Sequence, residues 1–195
     1  MERAALKSMA KQQIKGNVGT MFLISIIIAL IAGLANIVPV VGSVASILVL
    51  TPAFSLAVVC IYLNMTNGQA PQISDLFSKF NYFWASFKVS FLVGLFTGLW
   101  SMLFVIPGII KSFSYSQAMY ILAENPDIGA LEAISRSKAM MKGHKMELFV
   151  LSLSFIGWHL LGAVTFGIAY IWIIPYMSAT CANFYNNIKN SAEIV

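Results

Sequence analysis

The chain has 195 residues, of which 59% are hydrophobic and only 10% are charged, whereas a typical soluble domain has about 25% charged residues. Its mean hydropathy of +0.83 and several apolar runs of about 18 residues or more exclude a soluble globular domain and indicate several membrane spans. The net charge of +5 comes from basic residues that flank the apolar runs, so it favours contact with a membrane surface over binding of nucleic acid.

The first predicted elements are a basic amphipathic helix and two spans. Residues 2–16 form the amphipathic helix, and residues 18–38 form the first span. An uncharged turn at 39–42 leads into a second span over residues 43–66. The run at 18–38 is longer than the roughly 7–15 apolar residues of a signal peptide, and more spans follow it, so we interpret it as a retained span.

The middle of the chain repeats this order with shorter elements. Residues 71–80 predict a short amphipathic helix, and three aromatic residues at 82–84 predict an interfacial belt where a third span begins. That span ends near Ile106, and Pro107 with Gly108 predicts a tight turn. A fourth span, the most polar of the set, continues to about residue 123.

The last third of the chain begins with a charged helix over residues 125–145. Asn125 can cap its N-terminus, and Pro126 suits the first helical position. One apolar face and a basic end are typical of a helix that lies along a membrane surface. Residues 146–166 and 168–187 then predict a fifth and a sixth span.

An internal repeat supports this assignment of elements. Two sets of residues recur at identical offsets: Pro52, Ser55, Tyr62 and Asn64, and then Pro175, Ser178, Tyr185 and Asn187. The sequence therefore predicts a single all-α integral membrane domain over residues 1–195. Its six transmembrane helices form three repeats, each an amphipathic surface helix plus a helical hairpin, over about 1–66, 71–123 and 126–189.

The distribution of basic residues predicts the orientation. Eleven of the twelve lysines and arginines lie on one side of the predicted spans, with Lys111 as the exception. The positive-inside rule then puts both termini and the three surface helices in the cytoplasm. Six basic residues are expected to contact anionic lipids of the cytoplasmic face or a protein partner: Arg3, Lys7, Lys11, Arg136, Lys138 and Lys142.

Four polar residues within the spans are candidates for ligand binding: Lys111, Tyr115, Gln117 and His159. Lys111 either extends to the outer headgroups or faces the interior of the bundle, where it would bind an anionic group. His159 suggests a proton relay or a metal, but without nearby ligands a neutral, hydrogen-bonded histidine is the better interpretation. Cys60 and Cys181 are interpreted as small hydrophobic residues, so the sequence predicts no metal and no cofactor.

Glycines and prolines in the spans predict where helices pack and bend. Four glycines permit close helix approach, within the bundle or against another subunit: Gly94, Gly98, Gly157 and Gly162. Pro52, Pro107 and Pro175 are expected to kink or break their helices and so to open backbone carbonyls to a cavity.

The runs at 114–126, 130–134, 141–145 and 174–176 resemble a family of uncharacterised integral membrane proteins of Gram-positive bacteria. The resemblance extends from Lys7 nearly to Lys189 and implies a single polytopic domain in the bacterial plasma membrane. It implies no catalytic residues. A more distant likeness is to the membrane domain attached to some glycerophosphodiester phosphodiesterases, whose catalytic domain this chain lacks.

The sequence contains no phosphate-binding glycine loop, nucleophile elbow or zinc-protease motif, so we expect a protein that is not an enzyme. The leading hypothesis is a membrane protein that binds or moves a small amphiphile, a lipid or an anionic solute. The alternative is a scaffold or accessory subunit that holds another membrane protein, or a homo-oligomer.

Overall fold

The computed structural model describes residues 3–37, 44 and 46–193, and every regular element within these residues is helical. The α-helices are, in chain order, α1 Arg3–Ile14, α2 Val18–Ala35, α3 Thr51–Thr66, α4 Phe83–Leu103, α5 Val105–Tyr115, α6 Ala118–Glu124, α7 Ala130–Met140, α8 Lys145–Leu153, α9 Ile156–Val164 and α10 Tyr170–Glu193. A π-helical turn, Ser46–Leu50, leads into α3, and two 3-10 turns, Ile73–Leu76 and Phe80–Tyr82, precede α4. The prediction of an all-α fold is confirmed.

Four helical segments are long and apolar enough to cross a membrane by length and composition: Val18–Ala35, Leu48–Thr66, Ile73–Leu103 and Lys145–Val164. They correspond to the first, second, third and fifth predicted spans. At the fourth predicted span the structure has α5 and α6, which are separated by a break, and at the sixth it has α10. The chain is thus consistent with a membrane protein, and the count of six spans stays a prediction.

Helix α3 lies at the centre of the fold. Its sequence is apolar all round, and its buried side chains include Phe54, Leu56 and Ile61. Helices α4, α6 and α10 pack around it. In contrast, α2 buries only Met21 and Ile24, so most of its apolar surface faces outward, as expected for a helix that contacts lipid.

Helices α4 and α5 form a close hairpin that turns at Phe104, three residues before the predicted turn. Phe104 has an extended backbone, with φ −157° and ψ 141°. Gly108 lies inside α5 against α4, where an added Cβ would be only 2.1 Å from Ser101 Oγ and 2.8 Å from Ser101 Cα. The glycine therefore serves the close approach of two helices and not the turn itself.

The prolines differ in their positions. Pro107 occupies the first turn of α5, where a missing backbone N–H leaves no helical hydrogen bond unmade. Pro52 lies in the first turn of α3, directly after the π-helical turn Ser46–Leu50, and Pro175 lies in the interior of α10. At these two prolines a helical turn precedes the ring, so a carbonyl of that turn loses its helical donor.

Two predicted surface helices differ from the structure. Residues 71–80 form 3-10 turns, in which Gln72 N donates to Asp75 Oδ2 at 3.1 Å. The charged helix begins at Ala130 and not at Pro126, because the backbone at Gly129 is still extended, with φ −66° and ψ 147°. Residues 126–128 form a turn and a bend before it. The predicted turn at 39–42 lies outside the described residues.

Candidate functional site

The four predicted ligand-binding side chains have four separate sets of neighbours. Lys111 Nζ lies 4.5 Å from the centre of the Trp100 ring, across the α4–α5 hairpin. Tyr115 is buried, with its ring centre 6.2 Å from that of Phe96. His159 is exposed, and its Nδ1 lies 3.3 Å from the hydroxyl of Tyr170. These contacts do not bring the four side chains together in the described part of the chain. Ligand binding by Lys111, Tyr115, Gln117 and His159 therefore stays a prediction.

Gln117 belongs to a buried polar cluster at the break between α5 and α6. The hydroxyl of Ser137 donates to the carbonyl of Ser114 at 2.8 Å and accepts from the backbone N–H of Gln117 at 3.2 Å. The side chain of Gln117 is 2% exposed, and its Nε2 donates to Ser116 Oγ at 2.9 Å. Ser137 therefore provides hydrogen bonds to a carbonyl and an N–H that lack helical partners at the break, and these bonds hold α7 against it.

A more promising arrangement involves α1, which packs against α10. Leu6, Ala10 and Ile14 are buried at every fourth residue and form the contact face. Gln13 and Asn183 fix the two helices through reciprocal amide hydrogen bonds: Gln13 Nε2 to Asn183 Oδ1 at 3.0 Å, and Asn183 Nδ2 to Gln13 Oε1 at 2.8 Å. These two hydrogen bonds therefore hold α1 against α10, since each amide both donates and accepts.

Four cations follow one another along α1 at the same spacing, and we call them the basic ladder: Arg3, Lys7, Lys11 and Lys15. One residue corresponds to about 100° around a helix, so the ladder runs beside the buried stripe of α1. The cations thus border the contact between α1 and the bundle instead of pointing away from it.

Lys7 reaches the break between α8 and α9. Its ammonium group donates to the carbonyl of Ser154 at 3.2 Å and lies 4.4 Å from the centre of the Phe155 ring. Burial, followed by the positive charges of Arg3 and Lys11, lowers the pKa of Lys7 below its ordinary value. Lys7 therefore lies among like charges, and an anion nearby would relieve their repulsion.

Beside Lys7, the ladder overhangs a cavity of about 390 Å³ that we call the basic crevice. Seven residues from α1, α9 and α10 line it: Lys11, Ile14, Lys15, Trp158, Trp172, Ile173 and Tyr176. Lys11 and Lys15 are exposed at its rim, and Lys11 Nζ lies 5.8 Å from the centre of the Tyr176 ring. Two ammonium groups over an aromatic and aliphatic wall suit a ligand with one anionic end and one apolar end.

The aromatic wall is held in place by its own contacts. The Tyr176 ring lies edge-on to Phe155 at 5.4 Å and to Trp158 at 5.6 Å. Ile14 and Ile173 are almost fully buried beneath it. Because these neighbours are packed, the wall is preorganised and does not depend on a ligand for its shape.

A second crevice, of about 710 Å³, lies at the N-terminal end of α1, against α8 and α10. Arg3 and Glu147 both line it, so its charges have opposite sign. Glu147 also lies 3.3 Å from His144, between its Oε2 and the imidazole Nδ1. This second crevice therefore lacks the one-sided charge of the basic crevice.

The basic residues of α7 and the loop after it are solvent-facing. Arg136 pairs with Glu132 at 2.5 Å, one turn away, and Lys138 and Lys142 are exposed. These positions are compatible with the predicted contact with a membrane surface or a partner.

Two of the predicted packing glycines lie on an open surface, since an added Cβ at Gly94 or Gly98 would have nothing within 4 Å. Both line a groove of about 690 Å³ along α4. Gly157 is also free of neighbours. Gly162 is used internally, because an added Cβ there would lie 2.6 Å from the Tyr170 ring.

Sequence reasoning identified part of the basic crevice. Lys11 was predicted to contact the membrane surface, but Lys15, Trp158, Trp172 and Tyr176 were not predicted as site residues. The four-residue spacing of the ladder was a usable signal for Lys15. The aromatic wall comes from α9 and α10, more than 140 residues away in the chain, and no local pattern connects it with α1.

Among the described residues, no group of three or more histidine, cysteine, aspartate or glutamate side chains could hold a metal ion. Cys60 and Cys181 are free thiols, the first buried and the second half-buried, as small hydrophobic residues would be.

Comparison with known proteins gives one match. A family model described as "Protein of unknown function (DUF975)" matches residues 1–111 and, separately, residues 102–192. No curated protein and no solved structure matches the chain. The resemblance to a family without an assigned function is confirmed, whereas the bacterial group and the likeness to a phosphodiesterase membrane domain stay predictions.

Proposed function

We propose that this chain, which belongs to the DUF975 family of proteins of unknown function, is a non-enzymatic membrane protein that binds or moves a small amphiphile. The observation that carries the proposal is the basic crevice, in which Lys11 and Lys15 overhang a wall of Trp158, Trp172 and Tyr176. A charged rim over an apolar wall matches the two ends of an amphiphile, and neither end alone accounts for both features.

The wider arrangement is part of the same proposal. The chain has six spans in the bacterial plasma membrane, with both termini in the cytoplasm. Four spans are supported by helices of sufficient length and apolar composition, and the remaining two correspond to α5–α6 and to α10. The ladder then starts at the cytoplasmic end of α8, where Arg3 and Glu147 line one crevice, and runs along α8 and α9 to the basic crevice.

Native mass spectrometry of the protein, released from its own membranes in mild detergent, tests this proposal. A reproducible small adduct is expected on the wild-type protein and is expected to be lost from Lys11→Gln/Lys15→Gln. The matched control is Lys138→Gln/Lys142→Gln, which removes the same charge from exposed positions elsewhere and should keep the adduct.

Lys111→Ala separates the two candidate regions in the same measurement. An adduct that survives the crevice variant and disappears with Lys111→Ala would move the site to the α4–α5 hairpin. An adduct retained by every variant, or none on the wild-type protein, would contradict ligand handling by this crevice.

The alternative function, a scaffold or accessory subunit, is favoured by the open groove along α4. Gly94 and Gly98 form part of its floor, and Phe87, Phe91 and Leu95 also line it. Small residues at this spacing let a second helix approach closely. The same spectra should then show a stoichiometric protein partner or a homodimer that is released by Gly94→Leu/Gly98→Leu and retained by Gly157→Leu.

A further inference from the structure

We propose that the basic crevice selects a phospholipid whose headgroup carries a phosphodiester and no amine. The proposal rests on the proposed function and names the ligand class for the same site.

The selection for an anion comes from the rim. Lys11 and Lys15 are one helical turn apart, so their flexible side chains can reach one phosphate group. The seven residues that line the basic crevice include no carboxylate. Within the described part of the chain, the ion pairs involve other cations: Arg136, His144 and Lys189.

The same rim disfavours a headgroup amine. An ammonium group bound beside Lys11 and Lys15 would meet two like charges, with no carboxylate in the crevice lining to hold it. The rings of the wall attract cations, but Lys11 already lies over the Tyr176 ring, at 5.8 Å from its centre, and competes for that contact. Phosphatidylethanolamine and phosphatidylcholine carry such a cation, whereas phosphatidylglycerol offers hydroxyl groups in its place. The crevice therefore distinguishes lipids by the group that is esterified to the phosphate.

The wall favours a lipid over a free phosphate. Trp158 and Trp172 present indole rings, and Trp172 is 51% exposed, although the neighbouring Ile173 is buried. An indole ring offers an apolar face together with a polar N–H, so it suits contact with the glycerol and upper acyl region of a lipid. A free phosphate would use Lys11 and Lys15 but would leave this apolar surface uncovered.

The other two cations of the basic ladder, Lys7 and Arg3, have contacts outside the basic crevice. Lys7 is already engaged with the carbonyl of Ser154 and the ring of Phe155. Arg3 lines the second crevice, together with Glu147. Lys11 and Lys15 are therefore the two cations of the basic ladder that are free to hold a headgroup in the basic crevice.

Quenching of tryptophan fluorescence by brominated lipids tests the inference. Trp84→Phe/Trp100→Phe leaves Trp158 and Trp172 as the only tryptophans among the 195 residues. The protein is reconstituted into phosphatidylcholine vesicles, to which phosphatidylglycerol, phosphatidylethanolamine or phosphatidylcholine with brominated acyl chains is added in turn. We expect phosphatidylglycerol to quench at the lowest mole fraction, and the other two to quench equally and weakly.

The lysines should account for the preference. Each lysine replaced by glutamine is expected to lower the relative affinity for phosphatidylglycerol about fivefold, equivalent to about 1 kcal/mol. Lys11→Arg/Lys15→Arg should retain the preference, which also shows that changes at this rim leave the fold intact. Lys79→Gln/Lys88→Gln, which removes the same charge outside the predicted lipid contacts, should leave it unchanged.

Three outcomes would overturn the ligand class. Equal quenching by the three lipids would show a site without headgroup selection. Tight binding of phosphatidylethanolamine would show that an amine is accepted. Relief of quenching by millimolar inorganic phosphate would make the ligand a free phosphate. In each case an adduct that depends on Lys11 and Lys15 in native mass spectrometry would leave the proposed function standing.

Discussion

At the scale of single residues, two lysines lie beside aromatic rings in different surroundings. Lys111 lies over Trp100 within one hairpin, so its charge is partly compensated by the ring. Lys7 has a carbonyl and a ring as neighbours, and burial, followed by the positive charges of Arg3 and Lys11, lowers its pKa. A ligand that brings negative charge is therefore favoured at α1.

Gly108 is the residue at which an added side chain is expected to disturb the fold most directly. Gly108→Ala would place a Cβ 2.8 Å from the backbone of Ser101, and this steric conflict cannot be relieved by a side-chain rotation. We expect the free energy of unfolding to fall by about 1–3 kcal/mol. Thermal unfolding in detergent, followed by tryptophan fluorescence, measures it.

Gly157→Ala is the control for this prediction, because an added Cβ at Gly157 has nothing within 4 Å. Its stability should be unchanged or slightly higher, since alanine favours a helix over glycine by about 1 kcal/mol. Equal unfolding temperatures for Gly108→Ala and the wild-type protein would contradict the close contact between α4 and α5.

At the scale of elements, α1 shows how a helix predicted to lie on the membrane surface becomes part of the bundle. Its apolar stripe alone would bind any apolar surface. The reciprocal amide pair between Gln13 and Asn183 requires one particular alignment of α1 on α10. Specific polar contacts of this kind select one packing among many that bury similar apolar area.

Gln13→Ala is expected to loosen α1. Asn183 is 3% exposed, so loss of its partner leaves a buried amide without hydrogen bonds at a cost of about 1–3 kcal/mol. Backbone amide hydrogen exchange over residues 3–14 should become faster. Gln12→Ala, which changes an exposed residue of the same type one position away, should leave exchange unchanged. Equal exchange in both variants would show that the amide pair does not hold α1.

A second set of polar contacts holds α10, close to the amide pair. Glu124 accepts from the hydroxyl of Tyr185 at 2.7 Å and pairs with Lys189 at 3.0 Å, so it joins α6 to the last turns of α10. A carboxylate that ends one helix can thus hold another that is distant in sequence.

At the scale of the whole molecule, the six-span arrangement makes a direct prediction about sidedness. Phe166, 97% exposed and with φ +50° at the turn between α9 and α10, should face the outside. Lys142, in the loop before α8, should face the cytoplasm. Between them lies Lys145–Val164, which at about 1.5 Å per residue is long enough to cross the hydrocarbon layer.

A membrane-impermeant maleimide tests this arrangement in intact cells. Phe166→Cys should be labelled from outside, and Lys142→Cys should be labelled only after the membrane is permeabilised. Labelling of both positions from the same side would contradict a span between them, and with it the orientation derived from the distribution of charge.

The sequence by itself determined the helical class, the membrane setting and the approximate positions of most helices. These features depend on local composition: long apolar runs, breaks at glycine and basic flanks all act within about 20 residues. The late start of α7 and the turn at Phe104 lie a few residues from their predicted positions, because proline and glycine mark the neighbourhood of a helix end and not its exact residue.

The tertiary structure alone decided where the candidate site lies. The sequence contained the basic ladder of α1, but its partners on α9 and α10 are brought together only when α1 docks on the bundle. A binding cavity depends on contacts between segments far apart in the chain, and no periodicity within one segment specifies them. The physical reason is that charge and hydropathy are properties of a stretch of chain, whereas a crevice is a property of how helices pack.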